Sequence, residues 1–259
     1  MNLTEKMIKT DKVLIENVSD IISNAIGDDI REDIRSQKLV IQNSTPIRIW
    51  DHLYTKLCTK FTGFDIVAHP TRRGSWDLVP IFERETGFLY VLMRENRFKT
   101  LRKEALKRKN VHYAEALARS LNKDLVATQY QVSLIEVNDE KFDNEEYIKK
   151  IVLKIFEDLG IPDNIVKRHA LILFNDVNSV LLSLRCCVID SNLNIVEEAN
   201  WNEYIKVTES IVVEEVSDRN SQFNDPTNGL KYKQKAKDKL KQKRLTKEKV
   251  KEEKLPDLS

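Results

Sequence analysis

The spacing of apolar residues changes at Gly63, and this change constrains the fold more than any other feature of the sequence. Before Gly63, residues 47–61 carry apolar side chains at the spacing of one helical face. Those side chains are Ile47, Trp50, Leu53, Tyr54, Leu57 and Phe61. After Gly63, residues 64–69, 76–83 and 88–94 have the composition and alternation of strands. The sequence therefore predicts a helix followed by three antiparallel strands.

Helical spacing recurs on both sides of this region. Residues 12–26 predict an amphipathic helix that Gly27 ends, and a shorter helix follows it. Residues 97–109, 111–121 and 145–159 predict three more helices. Further strands are predicted at 126–137, 170–174, 180–189, 193–196 and 206–216.

These elements predict an α+β fold with a largely antiparallel mixed sheet and flanking helices. The N-terminal helical segment covers residues 1–43, and the globular body covers residues 44–216 with a candidate boundary at 122–126. Residues 217–259 are polar and rich in lysine, and they predict a disordered basic tail.

The charge of the chain is divided between the body and the tail. Residues 228–259 hold 12 basic and 5 acidic residues, whereas residues 1–227 hold 31 basic and 36 acidic residues. Lysine stands at every odd position from 231 to 243. A flexible polycation of this kind favours a polyanionic partner without sequence preference. The candidate contacts in the tail are Lys233, Lys235, Lys237, Lys241 and Arg244.

A second basic region lies at the stretch HPTRRGSWDL, residues 69–78. If the three strands run up, down and up, residues 70–75 and the corner that holds Arg94 and Arg97 lie at the same end of the sheet. The candidate phosphate-binding residues are Arg72, Arg73, Gly74, Arg94 and Arg97, with Lys99, Arg102 and Lys103 of the following helix. The alternative is that these arginines pair with local carboxylates such as Asp77 and Glu95.

Several chemistries find no support in the sequence. The six glycines are too far apart for a dinucleotide-binding motif or a P-loop. The four histidines and three cysteines lack the spacing of a metal site, so no metal or other cofactor is expected. The cysteine pattern fits a reducing cytoplasm. No apolar run reaches the length of a membrane span, and no membrane partner is expected.

One enzymatic alternative remains, a divergent nuclease of the PD-(D/E)xK type. Such an enzyme holds Mg²⁺ with acidic residues and uses a lysine beside them. Here Asp77 and then Glu95, Asn96 and Arg97 occupy the corresponding places. Because arginine stays protonated, it cannot replace that lysine as a base. This alternative is the only one that requires Mg²⁺.

The segment RRGSWDLVPIFERETGFLYVLMRE, residues 72–95, resembles an uncharacterised protein family of low-GC Gram-positive bacteria and their prophages. The resemblance covers residues 45–205. It implies a bacterial cytoplasm and a mobile-element setting, and it brings no known activity or catalytic residues.

Two functions follow as hypotheses. The first is a non-enzymatic accessory or regulatory protein that contacts the phosphates of DNA or RNA. The second is a protein-interaction module, such as an antitoxin, an inhibitor or a phage defence or counter-defence factor, which docks through the helix at 47–61 or the N-terminal helices.

Overall fold

The structure is a computed structural model that describes residues 6–38, 40–73, 76–105, 108, 110–127 and 145–206. The predicted tail lies outside the described residues, as do nearly all of the predicted strands at 126–137 and 206–216. In the described part of the chain, the six α-helices are α1 (Lys12–Asn24), α2 (Ile30–Ser36), α3 (Thr45–Lys60), α4 (Glu95–Glu104), α5 (Tyr113–Leu121) and α6 (Glu145–Leu159).

Eight strands in the described ranges form two sheets. They are β1 (Ile66–Ala68), β2 (Thr71–Arg73), β3 (Trp76–Leu78), β4 (Ile81–Glu83), β5 (Phe88–Arg94), β6 (Arg168–Val177), β7 (Val180–Ile189) and β8 (Ile195–Asn200). The main sheet has the order β1-β4-β5-β6-β7-β8, and β2 and β3 form a separate hairpin. Only β5 and β6 pair in parallel among these strands. The predicted α+β fold with a largely antiparallel mixed sheet is confirmed.

Strand β5 explains how the helices are arranged on the main sheet. Its side chains alternate between two hydrophobic cores: Tyr90 and Leu92 face one, and Leu89, Val91 and Met93 face the other. The first core is completed by α1 and α3, and the second by α4, α5 and α6. Because both faces are covered, the strand sequence FLYVLM is apolar throughout.

The predicted helix end at Gly27 is wrong. The helix continues through a π-helical segment, Ala25–Asp29, directly into α2. Because the helix continues through Gly27, Ile26 and Ile30 stay buried in the first core. A Cβ atom at Gly27 would lie 3.6 Å from the carbonyl oxygen of Ser179, so the π-helical segment passes close to the β6–β7 turn.

The predicted strand at 76–83 is divided at Pro80. Because proline has no N–H group, it cannot continue the ladder of hydrogen bonds. Strand β3 therefore pairs with β2, while β4 lies antiparallel to both β1 and β5. Strands β1 and β5 consequently run in the same direction, and the β2–β3 hairpin leaves the sheet at the end where β5 finishes. We call this the Arg94 end of the sheet.

The helix bounds after β5 also differ from the predicted ones. Helix α4 begins at Glu95 and ends at Glu104, and α5 begins at Tyr113. The Nδ1 atom of His112 accepts a hydrogen bond from the Ala114 N–H at 3.3 Å, so His112 caps α5.

Candidate functional site

A pocket of about 330 Å³ lies between β2 and α6. We call it the hairpin pocket, and its lining residues are Thr71, Arg72, Tyr147, Lys150, Ile151, Lys154 and Ile155. Tyr147, Ile151 and Lys154 stand four and three positions apart, so they form one stripe on α6. Burial of Ile148, Val152 and Phe156 against the second core fixes the rotation of the helix and turns this stripe toward β2.

The charges around the hairpin pocket all have the same sign. Arg72, Lys150 and Lys154 are its charged residues, and none of the described lining residues is acidic. The Nζ atom of Lys154 lies 3.2 Å from the Oδ2 atom of Asp158, which is one turn further along α6 and outside the lining. The described lining of the pocket therefore carries a net positive charge, which favours an anion.

Thr71 contributes a buried polar group to this pocket. Its side chain is 1% exposed, and its Oγ1 atom has no hydrogen-bond partner among the residues that the structure describes. An unsatisfied buried hydroxyl costs about 1–3 kcal/mol. A ligand that accepts or donates a hydrogen bond here would remove that cost.

Arg94 and Arg97 are not part of this pocket. Arg94 stands at the end of β5, with its Nε atom 3.3 Å from the Oδ1 atom of Asp176. Its guanidinium also lies 5.8 Å from the ring centroid of Phe174. Arg97 is exposed on α4. Neither residue lines the hairpin pocket, although the end of β5 and the β2–β3 hairpin lie at the same end of the sheet.

The remaining cations of α4 lie progressively further from the Arg94 end of the sheet. Lys99, Arg102 and Lys103 are exposed. Arg102 donates a hydrogen bond of 3.1 Å to the Oδ1 atom of Asn194, in the β7–β8 turn. Because β7 is antiparallel to β6, and β6 is parallel to β5, that turn lies at the opposite end of the sheet. The structure thus spreads these cations along the helix.

Several predicted contacts cannot be placed. The backbone of Arg73 belongs to β2, where it pairs with Trp76. Gly74 and the tail residues Lys233, Lys235, Lys237, Lys241 and Arg244 lie outside the described residues.

The two carboxylates of the nuclease alternative have separate surroundings. Asp77 is exposed on β3, opposite Arg72. Glu95 is buried and accepts a hydrogen bond of 2.5 Å from the Nε atom of Arg185, which raises the pKa of that arginine. Within the described ranges, no three His, Cys, Asp or Glu side chains form a group that would hold a metal ion.

The thiols and one histidine are held in their neutral forms by burial. Burial raises the pKa of Cys58, raises that of Cys187 to about 12 and raises that of Cys186 as well. Burial also lowers the pKa of His169 to about 4, although its hydrogen bond to the Leu89 carbonyl opposes this shift. At neutral pH these groups carry no charge, so they supply neither a thiolate nucleophile nor an imidazolium.

Sequence reasoning identified Arg72 but missed Tyr147, Lys150 and Lys154. The sequence showed the lysines of α6 and predicted the helix bounds of 145–159, which the structure confirms. The sequence did not show which element packs beside α6, because no local pattern indicates that the stripe of Tyr147, Ile151 and Lys154 lies against β2.

The comparisons with known proteins identify the family of the chain. The sequence model of a family of unknown function, DUF5986, matches residues 7–251. The chain belongs to this family. The resemblance to an uncharacterised family is thereby confirmed. No curated protein and no solved structure matches the sequence of this DUF5986 member. None of its described helices is both long enough and apolar enough to cross a membrane.

Proposed function

We infer that this DUF5986 member is a non-enzymatic accessory or regulatory protein that contacts the phosphates of DNA or RNA. One observation carries the inference: Arg72, Lys150 and Lys154 come from distant parts of the chain to a single pocket whose described lining includes no acid. A bacterial or prophage setting in a reducing cytoplasm belongs to the same proposal. The free thiols of Cys58, Cys186 and Cys187 fit such a setting.

Phosphate contacts have a measurable signature. Each phosphate that a lysine or arginine neutralises releases condensed counterions, so binding weakens as salt rises. The slope of log affinity against log salt concentration is about −0.9 per contact for duplex DNA and about −0.7 for single strands. The lysines at 231–243 would add contacts of this kind without any need for a folded surface.

The test measures binding of the full chain to labelled 20-nucleotide strands and duplexes by fluorescence anisotropy between 50 and 300 mM KCl. Lys150→Ala should weaken binding and reduce the magnitude of the salt slope by about 0.7–0.9, which is the loss of one phosphate contact. Lys149→Ala is the matched control, because Lys149 directly precedes Lys150 in α6 and lines a different pocket. Equal effects of the two substitutions, or no binding at 50 mM KCl, would contradict the inference.

A protein-interaction function remains the second candidate because of one surface feature. Val40, Ile41 and Ile47 are exposed at 95%, 71% and 52% around the connection from α2 to α3. Ile47 was predicted to face inward with the stripe of α3, and Ile49 is buried in its place. This candidate predicts that a pull-down from nuclease-treated bacterial lysate retains a partner protein in stoichiometric amount. The Ile41→Asp variant should lose that partner, whereas the Lys150→Ala variant should keep it.

A further inference from the structure

We propose that the hairpin pocket accepts one unstacked nucleotide of a single strand, with its base against Tyr147 and Ile151 and its phosphate against Arg72 and Lys150. This inference rests on the proposed function and names its ligand class. The observation behind it is that the pocket combines cationic groups with apolar ones.

The apolar part of the pocket needs a ligand with an apolar surface. Ile151, Ile155 and the exposed side chain of Tyr147 line the cavity beside the cations. A phosphate group alone makes no use of such a lining, because it is charged and strongly hydrated. A nucleotide presents both parts within one unit, a planar base and an anionic phosphate. Aromatic side chains beside basic residues are a common arrangement in proteins that bind single strands.

The size of the cavity separates single strands from duplexes. A duplex keeps its bases stacked in its interior and presents only its backbone and groove edges to a protein. A cavity of about 330 Å³ between a hairpin and a helix cannot admit that interior. A single strand can turn one base out of its stack and insert it, as single-stranded segments do when proteins read them.

The unpartnered hydroxyl of Thr71 supports an inserted ligand. It is buried at the β2 side of the pocket and lacks a hydrogen-bond partner in the described part of the chain. Phosphate oxygens and base edges both offer acceptors. The bound nucleotide would satisfy a group that the ligand-free protein leaves unsatisfied.

The experiment compares two unlabelled 12-unit competitors with the full-length protein: oligothymidylate, and an abasic strand with the same number of phosphates. The lysine-rich tail contacts both strands through phosphate, so its contribution cancels in the ratio of their affinities. We expect oligothymidylate to bind about 5- to 150-fold more tightly, which is the range that stacking of one base gives. Oligouridylate is tested in parallel with oligothymidylate, and the strand that binds more tightly shows whether RNA or DNA supplies the nucleotide.

Substitutions assign the preference to the pocket. Tyr147→Ala should reduce the oligothymidylate-to-abasic ratio to below about 3, whereas Tyr147→Phe should retain it because the ring remains. Leu153→Ala is the matched control: Leu153 is a partly exposed apolar residue of α6 that lines a different pocket, beside α5, and its removal should leave the ratio unchanged. Ile151→Asn provides a second disruption of the apolar lining, and thermal melting confirms that each variant is folded.

The outcomes distinguish this inference from the proposed function. Equal affinities for oligothymidylate and the abasic strand, both sensitive to Lys150→Ala, overturn the nucleotide pocket and leave phosphate binding in place. A preference for oligothymidylate that survives both Tyr147→Ala and Ile151→Asn also overturns it, because the base then binds elsewhere. Failure of both strands to bind at 50 mM KCl overturns the proposed function itself.

Discussion

The two flanks of helix α6 both carry lysine, and they differ in electrostatic character: the described lining of one is basic, and that of the other is balanced in charge. One flank faces β2 and lines the hairpin pocket, where every charged residue that the structure describes is basic. The other flank lines a pocket of about 760 Å³ beside α5, which we call the α5 pocket. Its charged residues are three basic and three acidic ones: Arg119, Lys123, Lys149, Glu145, Glu146 and Asp163.

The difference shows that the neighbour of a helix decides what its lysines can do. Lys149 and Lys150 are adjacent in sequence, yet they line different pockets. In the α5 pocket, carboxylates surround the cations and reduce the potential that an outside anion would meet. In the hairpin pocket, Arg72 adds to the charge of α6, and Asp158 offsets only Lys154. Counting basic residues along α6 would not separate the two flanks.

Acid should destabilise both flanks together, because they depend on the sheet beneath α6. His169 on β6 is fully buried with a pKa of about 4, against about 6.5 when unfolded. Between these values the unfolded chain binds a proton that the folded chain does not. The free energy of unfolding should therefore fall by about 3 kcal/mol as the pH drops from 6.5 to 4. Urea unfolding across this range measures the loss.

His169→Gln is the control for that prediction. Glutamine does not titrate, so the pH dependence of its unfolding free energy should be shallower than that of the unmodified protein by the same amount. Identical pH dependences would show that His169 is not the group responsible.

Reversing one charge on each flank tests the comparison itself. Lys150→Glu places an acid beside Arg72 in the hairpin pocket and should weaken single-strand binding by roughly 30-fold, about 2 kcal/mol. Lys149→Glu makes the same change of charge on the α5 flank and should alter affinity by less than about threefold. Anisotropy titrations at 50 mM KCl measure both. If Lys149→Glu is the more damaging, the α5 pocket is the binding flank.

Thr71→Val should separate stability from binding. Valine has nearly the same shape and removes the unsatisfied hydroxyl, so the free energy of unfolding should rise by about 1 kcal/mol. Binding of oligothymidylate should weaken by roughly fivefold, because the hydroxyl no longer bonds to the ligand. Ser23→Ala is the matched control: the Ser23 hydroxyl is also buried without a partner in the described ranges, and it lies on α1, away from the pocket. The Ser23→Ala variant should gain stability without losing affinity for oligothymidylate.

The smallest effect concerns the ion pair at the edge of the hairpin pocket. Asp158→Asn removes the carboxylate next to Lys154 and should strengthen binding by about twofold. Stability should fall by only about 0.3 kcal/mol, the usual value of an exposed helical pair with this spacing. Weaker binding in this variant would mean that Asp158 positions Lys154 and that the pair acts as a unit.

Local patterns in the sequence predicted most of the helices. The bounds of α6 were predicted in full, because apolar spacing and the glycine at 160 are local signals. The path through Gly27 was not predicted, because the gain from burying Ile26 and Ile30 depends on tertiary packing. The parallel pairing of β5 with β6 was not predicted either, since β6 begins far along the chain.

The candidate site was predictable only in part for the same reason. The arginines beside Gly74 were conspicuous in sequence, and the direction of β1, β4 and β5 places the hairpin at the Arg94 end of the sheet as predicted. The sequence did not show that Asp176 from β6 would pair with Arg94, or that α6 would bring Lys150 to Arg72. Both contacts join segments whose proximity is created by the completed sheet.

The parallel pairing of β5 and β6 has a consequence for synthesis of the chain. Strand β5 is apolar on both faces and ends at Arg94, whereas its partner begins at Arg168. At ~5–20 residues per second, several seconds of translation separate the two strands. During that time one edge of β5 lacks its neighbour, and exposed apolar edges promote aggregation. We expect chains truncated before Arg168 to depend on chaperones or to be insoluble, whereas the three strands that follow can associate through local hairpins.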